Sequence, residues 1–209
     1  APLPLGRAQF EKCFSRIVSS KDAIEELVNR DCLVENMIFY NGFLYDVLKD
    51  PSRTLRERVF AGAYLFEFPQ YLNEERISYL NSFEFVSLLN DALFQEEDEY
   101  IKEKAMFCLV REENEYASEV VENVLGLAGY PVLYYMFERH STLLSSNFLG
   151  NLLFELSFFS DASIIRWNAS RALRVLATSS IPFYRFNEII AGDFPVYMKN
   201  YAMEVLTDL

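Results

Sequence analysis

Phe60-Ala61-Gly62-Ala63-Tyr64-Leu65-Phe66-Glu67-Phe68 and Phe148-Leu149-Gly150-Asn151-Leu152-Leu153-Phe154-Glu155-Leu156 are the two stretches that decide the fold. They agree at five of nine positions and lie 88 residues apart. Midway between them is Lys104-Ala105-Met106-Phe107-Cys108-Leu109-Val110-Arg111, which sets the period at 44. A fourth copy, Lys199-Asn200-Tyr201-Ala202-Met203-Glu204-Val205-Leu206, echoes Lys102 to Leu109 at Lys, Ala, Met and Leu. Self-similarity at such a period is the mark of a stacked-repeat architecture.

Working outward from these copies, each is followed by two shorter helical patterns. Leu72 to Leu80 and Phe83 to Phe94 follow the first. Ala117 to Leu127 and Pro131 to Arg139 follow the second, Ile164 to Ala177 and Phe183 to Ile190 the third. Pro131 and Pro182 suit a helix start, where a missing N–H costs nothing. Phe43 to Leu48 precedes the first copy and should close before Asp50-Pro51. Near the N-terminus, Phe10, Phe14, Ile17 and Val18, then Ile24, Leu27 and Val28, recur at helical spacing. Residues 1–9 read as a flexible arm, and residues 10–209 as one helical-repeat domain.

Composition agrees. Seven glycines and seven prolines in 209 residues are few for a turn-rich β fold. Hydrophobic residues at 51% exclude a disordered acidic chain. A formal charge of -12 argues against nucleic acid, whose phosphates need clustered Lys and Arg. One histidine, His140, and three scattered cysteines, Cys13, Cys32 and Cys108, leave little material for zinc sites or triads. No metal, cofactor or enzymatic chemistry is expected. The cysteines read as small buried apolar residues. The most apolar window, Thr142 to Phe159, holds Glu155, so a core helix is favoured over membrane insertion.

Three helices per 40 to 47 residues imply an all-α, right-handed solenoid of about four three-helix repeats, of the armadillo or HEAT kind. Asn41-Gly42-Phe43-Leu44-Tyr45-Asp46-Val47-Leu48 with Ala61-Gly62-Ala63-Tyr64-Leu65 resembles the second and third helices of an armadillo repeat. So does Ala128-Gly129-Tyr130-Pro131-Val132-Leu133 with Leu149 to Leu156. The order Glu25-Glu26-Leu27, Val34-Glu35-Asn36, Asn41-Gly42, Lys104 to Glu112 and Gly129 to Leu133 is similar to the armadillo-type nucleotide-exchange factors of seventy-kilodalton heat-shock chaperones. The acidic dipeptides often seen after the first helix of that family are absent, since Met37-Ile38-Phe39 follows Asn36. The resemblance implies a co-chaperone, not an enzyme, that binds the chaperone's ATPase domain and promotes ADP release. The alternative is a general scaffold or adaptor for another protein.

Armadillo grooves often carry an asparagine on the third helix. Aligned on Ala61, Ala105, Leu149 and Ala202, the equivalent positions here are Glu67, Arg111, Glu155 and Asp208. An asparagine ladder for extended peptide is therefore missing. One turn earlier stand Ala63, Phe107, Asn151 and Glu204. The expected partner-binding residues are Glu67, Phe107, Arg111, Asn151 and Glu155.

Charge is uneven. Asp91 to Glu122 holds eleven acidic and three basic residues. Glu96-Glu97-Asp98-Glu99 is placed to cap a helix, or to steer the chain towards a basic face on a partner. Arg53, Arg56 and Arg58, and Arg166, Arg171 and Arg174, suit bridges between repeats or rim contacts. Trp167, with Ile164, Ala172 and Leu173, reads as core. Asn168-Ala169-Ser170 is a glycosylation sequon that a packed helix would hide. His140 reads as a surface or helix-end residue. A monomer is expected, cytoplasmic, with the endoplasmic reticulum lumen as the alternative.

Overall fold

The computed structural model describes residues 4–111, 114–127, 146–176 and 178–208. Among these the secondary structure is helical throughout: α1 (Arg7–Val18), α2 (Ala23–Val34), α3 (Met37–Lys49), α4 (Leu55–Glu67), α5 (Glu74–Leu80), α6 (Phe83–Gln95), α7 (Glu99–Val110), α8 (Ala117–Leu127), α9 (Asn147–Phe159), α10 (Ser163–Leu173), α11 (Phe183–Ala191) and α12 (Val196–Asp208). The protein is all-α. The four copies of the sequence repeat fall on α4, α7, α9 and α12, each of 12 or 13 residues. The expected helix over Pro131–Arg139, the resembling run Gly129 to Leu133, Glu112 and His140 lie outside the described residues.

Where the sequence suggests one continuous domain over 10–209, the chain divides into two compact units, Ala1–Cys108 and Leu109–Leu209. In the first, α1 packs on α2, α3 on α4, and α4 on α6. Phe10 and Phe14 each meet the Phe43 ring edge-on at about 6 Å, and Phe10 stacks on Tyr40 at 4.7 Å. Edge-to-face pairs of this kind add stability beyond the area they bury. The expected arm is shorter than residues 1–9. Helix α1 already begins at Arg7, and Leu5 is held at both ends of its peptide. Its N–H donates to Asn36 Oδ1 at 3.0 Å and its carbonyl accepts from the Tyr40 hydroxyl at 2.5 Å.

In the second unit, α9 packs on α10, α10 on α8, and α11 on α12. Phe154, Phe158, Phe186 and Tyr201 form an aromatic cluster with ring separations of 4.7–5.6 Å. The repeated glycine has a packing reason in both units. A Cβ on Gly62 would stand 2.9 Å from the fully buried Phe85 ring, and one on Gly150 would run into the Ser180 backbone carbonyl. Only glycine allows those approaches.

Helix ends follow local chemistry. Asp22 Oδ1 accepts from the N–H groups of Ile24 and Glu25, Thr54 and Glu57 form a capping box, and Ser82 and Ser146 cap α6 and α9. The expected capping by the acidic run appears at Asp98, which accepts from Tyr100 N–H at 2.9 Å. Of the six arginines expected at bridges or rims, Arg56 and Arg58 tie elements together. Arg56 donates to the carbonyls of Val18 and Ser20 and pairs with Asp98 at 2.6 Å, while Arg58 donates to Leu48 O. Among the described residues no helix is long and apolar enough to cross a membrane.

Two expectations fail. Trp167 is 61% exposed rather than core. The buried face of α10 is Asn168, Ala169, Ala172 and Leu173, and Trp167, five residues before Ala172, lies well round the helix from it. Cys13 and Cys32 are not separate apolar fillers but a disulfide joining α1 to α2, and Cys108, outside that bond, is buried. The Asn168 sequon is hidden, as its spacing on a helix implies: the side chain is buried and its amide donates to Leu125 O at 2.7 Å.

Candidate functional site

The first unit contains a buried ionic group built on α2, α4 and α7. Lys104 Nζ sits 2.8 Å from each carboxylate oxygen of Glu26, and both side chains are less than a tenth exposed. The Tyr64 hydroxyl donates to Glu26 Oε1 at 2.7 Å. Burial, with the Glu26 charge added, pushes the Tyr64 phenol far above its usual range, so it stays a neutral donor. The Lys104 ammonium also lies over the rings of Phe60 and Tyr100 at about 5.5 Å. One turn along α2, Arg30 pairs with Glu67 at 2.5 Å and lies over the rings of Tyr64 and Phe68. Burial works against the Arg30 charge, but the bond and charge of Glu67 outweigh it and hold the guanidinium above its ordinary value.

These contacts locate the sequence-predicted residues. Glu67 is engaged by Arg30, and Glu155, at the same phase of the repeat, is engaged by Arg185, whose guanidinium stacks over Phe154 at 4.3 Å. Asp208, the third acidic residue at this phase, pairs with Arg174 at 3.3 Å. The shared phase is thus used for ion pairs between helices of one unit. Glu67 and Asp208 end α4 and α12 and Glu155 lies one turn before the end of α9, while Arg30 and Arg185 come from α2 and α11 and Arg174 caps the C-terminus of α10. Phe107 is buried, at 7% exposure. Asn151 is half-buried and its amide donates back to Asn147 O at 2.9 Å. Arg111 is half-buried. Glu67 and Phe107 belong to the first unit, and Arg111, Asn151 and Glu155 to the second.

The second unit holds a recess of about 610 Å³ between α9, α10 and α12. Phe158, Phe159, Trp167, Tyr197 and Tyr201 supply aromatic walls, and Arg166 a cation. Arg166 is tied back by a 2.5 Å bond from Nη1 to Ser160 O. Trp167 and Tyr197 stand at its mouth, 61% and 73% exposed. Burial raises the Tyr201 phenol at its inner wall above the ordinary tyrosine value, against the hydrogen bonds of Ser170 and Ser157. Such a recess offers flat apolar faces and hydrogen bonds to a ligand or a side chain. Sequence reasoning missed it because Trp167 was assigned to the core; the Tyr197–Met198–Tyr201 spacing on one helix was the available signal. Among the described residues no group of three or more His, Cys, Asp or Glu side chains gathers to hold a metal.

Comparison with protein-family models, with curated proteins and with solved structures finds no match for this chain.

Proposed function

We propose that this chain is a protein-binding helical-repeat module, and that its partner is the ATPase domain of a seventy-kilodalton heat-shock chaperone, from which it promotes ADP release. The observation that carries the binding half is the aromatic recess of the second unit, with Trp167 and Tyr197 exposed at its mouth. Exposed Trp and Tyr beside an arginine are the residue types that dominate binding energy at protein interfaces. The chaperone half rests on the resemblance of the Lys104 to Glu112 run and the segments around it. The physical requirement is differential affinity: the module must bind the open-cleft ATPase conformation more tightly than the closed one.

The Cys13–Cys32 disulfide favours the endoplasmic reticulum lumen over the cytoplasm as the working compartment, because disulfides persist where the environment is oxidising. An adaptor role for another protein is the second reading. It is favoured by the engagement of Glu67 and Glu155 in ion pairs, which leaves the predicted acidic contacts occupied within the chain.

The test is stopped-flow release of a fluorescent ADP from the chaperone. The module is expected to accelerate release, and Trp167→Ala with Tyr197→Ala to weaken the effect while helicity is retained. Equal release rates with and without the module reject the chaperone partner. Unchanged acceleration by the double variant rejects the recess as the contact.

A further inference from the structure

Helix α2 is built inside out. Its inward face carries Glu26, Arg30 and Leu33, of which only Leu33 is apolar. The opposite face carries Ile24, Leu27 and Val28, exposed by 75%, 66% and 78%. Asp31 and Glu35 continue that outer face. At the start of α3, Ile38 and Phe39 are also 63% and 61% exposed. Five large apolar side chains thus stand in water on α2 and the first turn of α3. The arrangement is not a frayed amphipathic helix. The polar side has been drawn inward by specific partners, Lys104 and Tyr64 for Glu26 and Glu67 for Arg30.

The rim of this apolar strip is charged with one sign. Asp31 and Glu35 follow Ile24, Leu27 and Val28 along the same face, and Asp22 and Glu25 stand exposed at its N-terminal end and flank, with Lys21 the one basic residue at that end. The backbone beneath is held firmly. Asp22 caps the helix, the Cys13–Cys32 disulfide ties it to α1, and the buried ion pair anchors its middle. A surface ordered in advance loses little freedom on binding.

We propose that the outer face of α2, with Ile38 and Phe39, is a docking surface for an amphipathic helix of another protein whose apolar stripe is flanked by Lys or Arg. A second helix laid along α2 seats its side chains between the ridges at Ile24, Leu27 and Val28, as helix pairs do at 8–10 Å between axes. The acidic rim selects basic flanks. It disfavours a second copy of this chain, because a twofold contact sets the same acidic rim against itself. It disfavours an anionic membrane for the same reason. The surface belongs to residues 1–108, and the proposal does not rest on the chaperone reading.

The test is fluorescence anisotropy with a synthetic amphipathic helical peptide bearing Leu at i, i+3, i+4 and i+7 and Lys on both flanks, beside an isomer with Glu in place of every Lys. The Lys peptide is expected to bind, with affinity falling as salt rises, and the Glu isomer to bind at least about tenfold more weakly. Leu27→Asp and Val28→Asp, both on exposed positions, are expected to abolish binding at unchanged circular dichroism, and Trp167→Ala to leave it intact. Failure of the Lys peptide to bind, equal binding of the two peptides, or wild-type binding by Leu27→Asp overturns the proposal. So does a dimer in sedimentation that Leu27→Asp dissolves, which assigns the face to a second copy. Capture by phosphatidylcholine vesicles that Leu27→Asp abolishes also overturns it, in favour of lipid.

Discussion

Replacing Lys104 by Met removes the cation from a carboxylate that has no other charge partner at hydrogen-bond distance among the contacts described above. At 2.8 Å and an effective dielectric constant near 20, the Coulomb attraction of the pair is about 6 kcal/mol. Taking each ion out of water costs several kcal/mol, so the intact pair is close to neutral overall. The variant keeps the cost and loses the attraction. It also loses the ammonium over Phe60 and Tyr100. Lys104→Met is therefore expected to destabilise the first unit by about 3–5 kcal/mol. Adding Glu26→Gln neutralises the stranded charge and keeps an acceptor for the Tyr64 hydroxyl. The double variant should recover all but about 1–2 kcal/mol. The assay is urea unfolding followed by far-UV circular dichroism across the four members of the cycle. Because the chain has two compact units, the curves are fitted without assuming a single transition, and hydrogen exchange at the α2 amides locates the loss. A cost below about 1 kcal/mol for Lys104→Met, or a double variant as unstable as the sum of the singles, refutes the claim that α2 is held by this pair.

Three further outcomes follow from the packing and the caps. Gly150→Ala should cost about 1–3 kcal/mol, seen as a melting temperature lowered by at least about 2 °C, and Gly62→Ala should cost less, since a ring edge yields more readily than a backbone carbonyl. Cys13→Ser should lose about 3 kcal/mol from opening a 19-residue loop, and a reductant should bring the wild type down to the variant while leaving the variant unchanged in denaturant titrations. Glu57 lies below its ordinary value, because the bonds from Arg53 and Thr54 outweigh the opposing burial. A depressed carboxylate stabilises above its unfolded value and loses that contribution as pH falls through the folded one. Glu57→Gln should therefore be less stable than wild type at neutral pH by about 0.5–1 kcal/mol, and the gap in chemical unfolding should close once Glu57 is protonated in both states.

The helices were legible because they rest on local signals. Apolar spacing, Pro182 before α11 and Asp50-Pro51 after α3 mark helix ends without reference to the rest of the chain. Gly62 and Gly150 were legible only as matched positions, and the close approaches that require them appear in the packing. The candidate site was legible only by phase. Glu67 and Glu155 stand at equivalent positions as the 44-residue period requires, but their arginines come from α2 in one case and α11 in the other, and no spacing rule links them. Helix α2 shows the limit most plainly. Periodicity reports that Ile24, Leu27 and Val28 share a face; it does not say which face turns inward. That was decided by Lys104, which is 78 residues from Glu26. Trp167 failed for the same reason on α10, where two alanines and Leu173 took the inner side. Cys13 and Cys32 lie on successive helices, and their pairing follows from how α1 and α2 pack.

The 78-residue separation of Glu26 and Lys104 has a consequence for synthesis. At about 5–20 residues per second, a ribosome needs about 4–16 s after making α2 to produce the cation that anchors it. During that interval the inward side of the segment lacks the cation that anchors it. The carboxylate of Glu26 remains in water, and Ile24, Leu27 and Val28 are open to whatever hydrophobic surface is close. The inward face of α2 is thus without its anchor for seconds on every round of translation.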